Sequence, residues 1–514
     1  MPTAKHAEPD PSASEHAVGE NGRRRALVLA GGGMRVAWQA GVVQALTERG
    51  LRFDHGDGTS GGIFTLGMLM SGVTPAELGA RWRSLNVRRF VSAAPLRSYA
   101  RSPTSWPAFG GSRGIRDHVL PHLGVDIDAI RRCRSMTGTF NVARFDTKEC
   151  VAIPHDQIDL DRLVAGVSLP ILMPAFCDDA GVTWTDAVWI KDANPMAAVE
   201  RGCTEIWIAW CIGDSARWGS GALEQYVHMI ELSAVGALRA DLRQIAAVNA
   251  RRLAGEEVLG STEPVVVHVV RPRIPLPLDP DFVAGRITAE TLVDMGYRDA
   301  CDYLADMSPA GVDLGGQPTR TPTPDRGARL SLRLRGVTGD GRRDLTTASL
   351  TVEITDLAEF RSHNPGRASV VGSIHRPSWG RVQVCDGALT LTATPRGRQV
   401  DLDCRVVVAG EPRTVRLRAH AGTRRLEWRW SEARFWDWQV AEGHLSLDPS
   451  ADSSGEFTER AERSLHLSTM DLVRLVTTFE PTGAHSLGDR AWALRTALHA
   501  VRRGPSPRSA GRGD

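Results

Sequence analysis

Gly58-Thr59-Ser60-Gly61-Gly62 fits the pattern G-x-S-x-G, in which flanking glycines let a strained strand-to-helix turn lift a serine hydroxyl into a cleft as a nucleophile. The chain carries 51 glycines and meets the pattern again at Gly110-Gly111-Ser112-Arg113-Gly114. That second match follows the segment Ser102 to Pro107, which is unsuited to a strand, so Ser112 reads as an ordinary loop serine. Ser60 has better surroundings. Upstream of it lies Gly31-Gly32-Gly33-Met34-Arg35, at the end of the apolar run Ala26 to Ala30 and at the start of a helical pattern. If the two strands are parallel neighbours, both loops fall at one sheet edge, and the glycine N–H groups converge on an oxyanion beside Ser60. The competing reading is a dinucleotide-type phosphate turn, with Asp54 near the position of a ribose-binding acid; the G-x-G-x-x-G spacing fails at Val36.

A nucleophilic serine needs a base. Trp184 through Pro195 offers Asp186 and, as a fallback, Asp192 beside Asn194-Pro195, where a helix N-terminal position is the plainer explanation. A Ser, Asp, His triad is the rival arrangement. His268, in the run Val265 to Val270, stands in suitable chain order for it. However, the nucleophile of that fold follows several strands, whereas Ser60 follows only one or two.

The elements that must hold these residues alternate between strand and helix. Strands are expected at 26–30, about 51–57, 138–143, 151–153, 205–212 and 265–270, with helices at 36–48, 62–70 and about 226–253. This order implies a mostly parallel sheet flanked by helices. After Met307 the period changes. Residues 311–326 are rich in Gly, Pro and Thr, and beyond them Leu330, Leu332 and Leu334, then Leu350, Val352 and Ile354, then Val400, Leu402, Cys404 and Val406 alternate with polar residues. Such strands, broken by turns like Gly339-Asp340-Gly341, predict an antiparallel barrel or sandwich. The expected organisation is therefore a disordered leader (1–24), an α/β unit (25–310), a linker (311–326), a β-rich unit (327–448), and a helical segment, mainly 465–503, with a basic tail (449–514).

Of the 514 residues, 62 are basic and 60 acidic, a net +2 that gives no field to recruit nucleic acid. The eight cysteines form no C-x-x-C pair and read as reduced thiols, and no cofactor or metal is called for. The N-terminal stretch lacks the apolar core of a secretion signal, and no run of about 18 apolar residues occurs. A cytoplasmic protein, at most peripheral to a membrane, is expected. Trp428, Trp430, Phe435, Trp436 and Trp438 form an aromatic cluster in the β-rich unit. A core or barrel-lining stripe explains it most simply; a lipid-facing surface is the sharper alternative.

Taken in order, Gly31-Gly32-Gly33-x-Arg35, Gly58-x-Ser60-x-Gly62, Ser168-Leu169-Pro170, Asp186 through Asn194-Pro195 and Gly296-Tyr297-x-x-Ala300 resemble the patatin-like phospholipase family over roughly residues 25–307. The resemblance implies a three-layer α/β fold and hydrolysis of acyl esters of phospholipids and related lipids by a Ser-Asp dyad. It assigns Ser60 as nucleophile, Asp186 as base, Gly31, Gly32, Gly33 and Arg35 as the oxyanion loop, and Gly58 and Gly62 as the flanks of the elbow. A transacylase using a second alcohol, or a silent lipid-binding protein on the same fold, would share these residues. Two positions depart from the family: Val36 where glycine is usual, and Ala187-Val188 where Gly-Gly or Gly-Ala is usual. A Cβ at 187 clashes if that backbone needs positive φ.

Overall fold

The computed structural model describes residues 23–86, 90, 92–93, 108, 110–214, 218, 221–276, 287–322, 326–337, 345–363, 365–394, 397–421, 427–434, 464–466, 479–482 and 495. Within them the chain begins with β1 (Arg25–Leu29), whose residues alternate between two cores. Leu27 and Leu29 face one, Ala26 and Val28 the other. This two-sided burial is what a strand inside a parallel sheet requires, and it explains why the run is continuously apolar. Four further strands join β1 in parallel: β2 (His55–Thr59), β5 (Thr137–Arg144), β9 (Glu205–Ala209) and β10 (Val266–Val270), in the order β10-β9-β1-β2-β5. Beyond β5 lie β6 (Glu149–Pro154), β7 (Phe176–Cys177) and β8 (Thr183–Asp186), all paired antiparallel. A small hairpin, β3 (Ser92–Ala93) with β4 (Gly110–Gly111), stands apart.

Helices cover both faces. On one lie α1 (Ala37–Glu48), α2 (Gly62–Met70) and α3 (Pro75–Ser84). On the other lie α5 (Pro195–Glu200) and α6 (Ala222–Leu253), after the short α4 (Leu160–Gly166) has packed near β5. α7 (Ala289–Asp306) crosses α1 so closely that a methyl on Gly41 would strike the Val293 carbonyl, and one on Gly296 the Trp38 carbonyl. Trp38 Nε1 donates to Asp299 across the same contact at 2.7 Å. The result is the expected three-layer α/β arrangement.

β2 starts later than the sequence pattern suggested, because its pairing with β1 opens at Ala26↔His55. Its residues, His-Gly-Asp-Gly-Thr, are poor strand formers that neighbours on both sides hold extended. The described part of the expected 311–326 linker is tied down: Val312 N–H donates to Val267 O at 2.8 Å, and Thr319 Oγ1 donates to the buried Asp214 carboxylate at 2.7 Å.

The second sheet is wholly antiparallel. Its strands are β11 (Gly327–Val337), β12 (Leu345–Ile354), β13 (Gly366–Arg376), β14 (Gly380–Thr394), β15 (Gly397–Val408), β16 (Glu411–Ala421), β17 (Glu427–Arg434), β18 (Ser464–His466) and β19 (Glu480–Thr482). Because β11 pairs with β12 on one edge and with β18 on the other, the sheet closes on itself. The alternating residues Leu332, Leu334, Leu350, Val352, Leu402, Cys404 and Val406 line its core. Two parts of the expected helical segment are instead strands, β18 and β19, since the open edge of β11 supplies backbone partners for both; Arg495 alone is helical, and the rest of that segment lies outside the described residues. So do the leader through residue 22, the 339–341 turn, Phe435, Trp436, Trp438, the basic tail and the side chains of Trp428 and Trp430, which themselves sit in β17.

Candidate active site

β2 and β8 meet head to head on one edge of β5. β2 pairs with β5 as far as Thr59↔Asn141, and β8, arriving from the opposite direction, pairs from Arg144 down to Val142↔Asp186. β6 overlaps both stretches and so must occupy the other edge. The last residue of β8 is therefore brought against the residue that follows β2. Ser60 Oγ donates to Asp186 Oδ2 at 2.6 Å, while Asp186 Oδ1 accepts from the Val188 N–H at 2.9 Å.

The turn that presents Ser60 is strained, with φ at +50° on a residue that carries a Cβ. Its flanks tolerate no side chain. A methyl on Gly62 would strike the Leu29 carbonyl, and one on Gly61 would lie 2.6 Å from both the Gly33 carbonyl and Val36 Cγ1. Val36, which takes the place of a usual glycine, is fully buried and fills the space that Gly61 leaves. Ser60 is almost wholly enclosed at 7% exposure, and Asp186 is buried beside it. Burial pushes the Asp186 carboxyl up to about 7, with the hydrogen bonds from Ser60 and Val188 acting in the opposite sense.

The glycine loop runs alongside, held from three directions. Gly31 N–H donates to the Asp192 carbonyl at 3.1 Å, and Cys211 Sγ donates to the Gly31 carbonyl at 3.1 Å. Arg35 turns back, with Nε donating to Gly32 O and Nη1 to Ile212 O, both at 3.1 Å. Of the residues expected to hold an oxyanion, Gly31 thus has its amide already engaged, and Arg35 braces the loop rather than facing Ser60. Gly33 takes a left-handed φ of +59°, and the amides of Gly32 and Gly33 have no acceptor among the described residues.

The remaining candidates are placed elsewhere or otherwise employed. Asp192 lies close to Ser60, but the serine hydroxyl goes to Asp186; nor does Asp192 cap a helix, since α5 starts after Asn194. His268 sits in β10, three strands from β2, stacked on Trp207 at 4.1 Å and bonded to the Tyr303 hydroxyl at 3.0 Å. Burial lowers it to about 4, so it is a neutral core histidine. Asp54 accepts from Arg25 N–H at 2.7 Å, at the end of β2 away from the site. Ser112, expected in an ordinary loop, instead occupies the turn between β4 and a helical segment that starts at Arg113, but β4 belongs to the separate antiparallel hairpin and not to the sheet that carries Ser60. Ser168 lies directly behind the base: its carbonyl accepts from Thr185 Oγ1 at 3.0 Å and from Asp186 N–H at 3.4 Å. Ala187 opens a buried turn of 3-10 helix and is not among the residues with positive φ, so its Cβ is accommodated.

A comparison with family models matches residues 27–198 to the patatin-like phospholipases. Residues 27–198 are a patatin-like phospholipase domain. A search of curated proteins finds no match. The patatin-like match takes in β1, β2, the elbow, β5, β8 and α5, while the parallel strands β9 and β10 and the helix α7 that complete the three-layer fold lie beyond it.

Under the elbow of the patatin-like domain lies a buried polar ladder that sequence reasoning missed. In register, β2 and β5 pair His55 with Thr137, Asp57 with Thr139, and Thr59 with Asn141. Thr139 Oγ1 donates to Asp57 Oδ2 at 2.6 Å; Asn141 Nδ2 donates to Asp57 Oδ1 at 2.7 Å and to Thr59 Oγ1 at 2.9 Å. Asn194 Nδ2 then donates to Asn141 Oδ1 at 3.0 Å, which joins the ladder to the loop carrying Asp192. Burial raises the Asp57 carboxyl to about 7. The signal was present: polar residues at every second position in two strands that are otherwise buried on both faces. Among the described residues no group of His, Cys, Asp or Glu is placed to hold a metal.

Proposed function

We propose that this protein hydrolyses acyl esters of lipids, phospholipids being the expected class, through a covalent acyl-enzyme on Ser60 with Asp186 as the only base. The observation that carries this reading is the 2.6 Å bond from Ser60 Oγ to Asp186 Oδ2, made at the tip of a strained elbow and shielded from water. It accords with the patatin-like domain, whose family is one of lipid acyl hydrolases.

The chemistry follows from the arrangement. Asp186 as the carboxylate accepts the hydroxyl proton while Ser60 Oγ attacks the acyl carbonyl carbon, and the negative charge that develops on the carbonyl oxygen meets the uncommitted amides of Gly32 and Gly33. Asp186 then returns the proton to the departing alcohol. In the second half, water takes the place of the alcohol: it gives a proton to Asp186 as its oxygen bonds to the acyl carbon, and the acyl C–Oγ bond then breaks as Asp186 returns that proton to Ser60 Oγ, releasing the fatty acid. A carboxyl near pH 7 is suited to both steps, since it exchanges a proton at little cost in either direction. Among the described residues no helix is long and apolar enough to cross a membrane; the lipid would be taken from an interface that the protein visits from the cytoplasmic side.

The test is labelling with a fluorophosphonate probe, mapping of the modified residue, and assay on a soluble ester. The expected site is Ser60. Ser60→Ala abolishes turnover, a loss on the order of 10⁴-fold or more, and Asp186→Asn comes close to it, while His268→Gln leaves most activity. Because the base must be ionised, the rate rises with pH through about 7. No labelling, or labelling at Ser112, would defeat the proposal.

A further inference from the structure

A second carboxyl group lies within the site, and the reaction as written does not use it. Asp192 is fully buried, and among the described residues neither of its carboxyl oxygens makes a hydrogen bond of good geometry. Its position is specific. A methyl group built on Gly31 would collide with Asp192 Oδ1 and lie 2.8 Å from Ser60 Cβ, so the carboxyl, the first loop glycine and the nucleophile crowd around one point. The same residue fixes the loop from behind through the bond from Gly31 N–H to its carbonyl.

A carboxylate in such a place would be costly, since removal of an ion from water is offset only by pairing or hydrogen bonds, and among the described residues Asp192 has no ion pair and no well-formed hydrogen bond to its carboxyl oxygens. The charged groups around it sharpen the point. Asp186 repels a second negative charge, and burial and this repulsion together push the Asp192 carboxyl well above the usual range. Arg35 and the nearby Gly31 N–H oppose the shift, but the guanidinium is engaged by the Gly32 and Ile212 carbonyls and the amide by the main-chain carbonyl of Asp192. Lys191, next in the chain, is committed to Asp241 at 2.9 Å, and the Cys211 thiol to Gly31. Two neighbouring buried carboxyls with one free to ionise hold one charge between them.

Resting on the acyl-hydrolase reading, we propose that Asp192 is a positioning residue that works only as the neutral acid: it fills the space between Gly31 and Ser60 without charge, and ionisation there turns the glycine loop hostile to an oxyanion. The division of labour is then asymmetric. Asp186 bears the negative charge and moves the proton, and Asp192 keeps its proton throughout the cycle. A negative Asp192 would sit against Gly31, the first residue of the loop whose amides must receive negative charge, and weaken the field they provide.

The experiment compares the full-length wild type with Asp192→Asn and Asp192→Leu, two neutral replacements of similar size, by the rate of fluorophosphonate labelling at Ser60 and by thermal melting, from about pH 6 to about pH 10. In the wild type the rate should climb with ionisation of Asp186 and then fall at alkaline pH, approaching tenfold per pH unit past the second transition. In a folded neutral variant the climb stays and the alkaline fall is lost. Melting supplies a readout that needs no activity. A carboxyl held protonated only in the folded state loses stability for the protein as pH rises from the ordinary carboxylate range toward its folded value, so the melting temperature of the neutral variant should gain on the wild type with rising pH. Rate profiles that superimpose would overturn the proposal whatever the melts do, as would a folded Asp192→Asn that is as inert as Asp186→Asn. Failure of the wild type itself to label would instead defeat the acyl-hydrolase reading, while the melting comparison would still report the state of Asp192.

Discussion

Asp186, Asp192 and Asp57 are three buried carboxyls on the elements that surround the same serine, and their partners set them apart. Asp186 accepts the hydrogen bond of the serine hydroxyl, Asp57 is satisfied by Thr139 and Asn141, and the Asp192 carboxyl makes no well-formed hydrogen bond among the described residues. The sequence put Asp186 first and Asp192 second as a fallback, but that order rested on the family resemblance and not on any local pattern of residues. Ranking depends on which one the end of β8 delivers to the elbow, a matter of register that no local pattern carries. The departure at Ala187 is also settled at this scale. Since Ala187 begins a helical turn and packs in the core, glycine there offers no relief of strain. Ala187→Gly should leave the labelling rate at Ser60 unchanged and lower stability by roughly 0.5–1 kcal/mol, the usual cost of the added backbone freedom. Denaturant titration and labelling kinetics measure both. A several-fold faster rate would mean that the alanine strains the base after all.

At the scale of elements, the parallel core was legible because its strands are apolar throughout and its helices fill the intervals; the helix at 62–70 was read with its final boundaries. β2 was harder, since three of its five side chains are polar and glycine supplies the other two positions. Those glycines face α2, where Leu66 packs over Gly56 and Gly58, and the polar side chains face Asn141 and Asn194. The strand is thus one half of a hydrogen-bonded seam rather than part of an oily core, and hydropathy is blind to that. Asn141 is the hub, touching Asp57, Thr59 and Asn194 at once. Asn141→Leu should therefore cost more than its bulk suggests, on the order of 1–3 kcal/mol for each buried partner left without a bond. Labelling at Ser60 should slow as the elbow loses its support. Urea unfolding followed by fluorescence gives the first quantity; a loss below about 1 kcal/mol would mean that the ladder relaxes onto other partners.

For the whole molecule, the decisive element is α7. One side lies on α1, and the other meets β13 and β14 of the closed sheet, where Arg298 pairs with Asp386 at 2.9 Å and Glu290 with Arg381 at 2.7 Å. A further pair, Arg273 with Glu353 at 3.0 Å, joins the segment after β10 to β12. Among the described residues the closed sheet supplies none of the groups named around Ser60, so a truncation ending at residue 322 should still be labelled there. It should also melt well below the full chain, because Arg298, now nearly buried, would lose Asp386 and the apolar flank of the helix its cover. Labelling and thermal melts of the two proteins check this; equal melting temperatures would show that the two sheets are energetically independent. The alternating period beyond residue 326 announced an antiparallel unit, yet nothing in that period told which face would receive α7, because the contact is made by isolated residues such as Val371 and Cys385. The glycine crossing of α1 and α7 has a consequence for the order of events during synthesis. Trp38 and Gly41 leave the ribosome about 250 residues before the helix that seals them, so the layer behind the nucleophile remains an open groove until Asp306 has emerged. The α/β unit should therefore stay unsealed until at least 306 of the 514 residues have been made, and any factor that attends the nascent chain should find its purchase along α1.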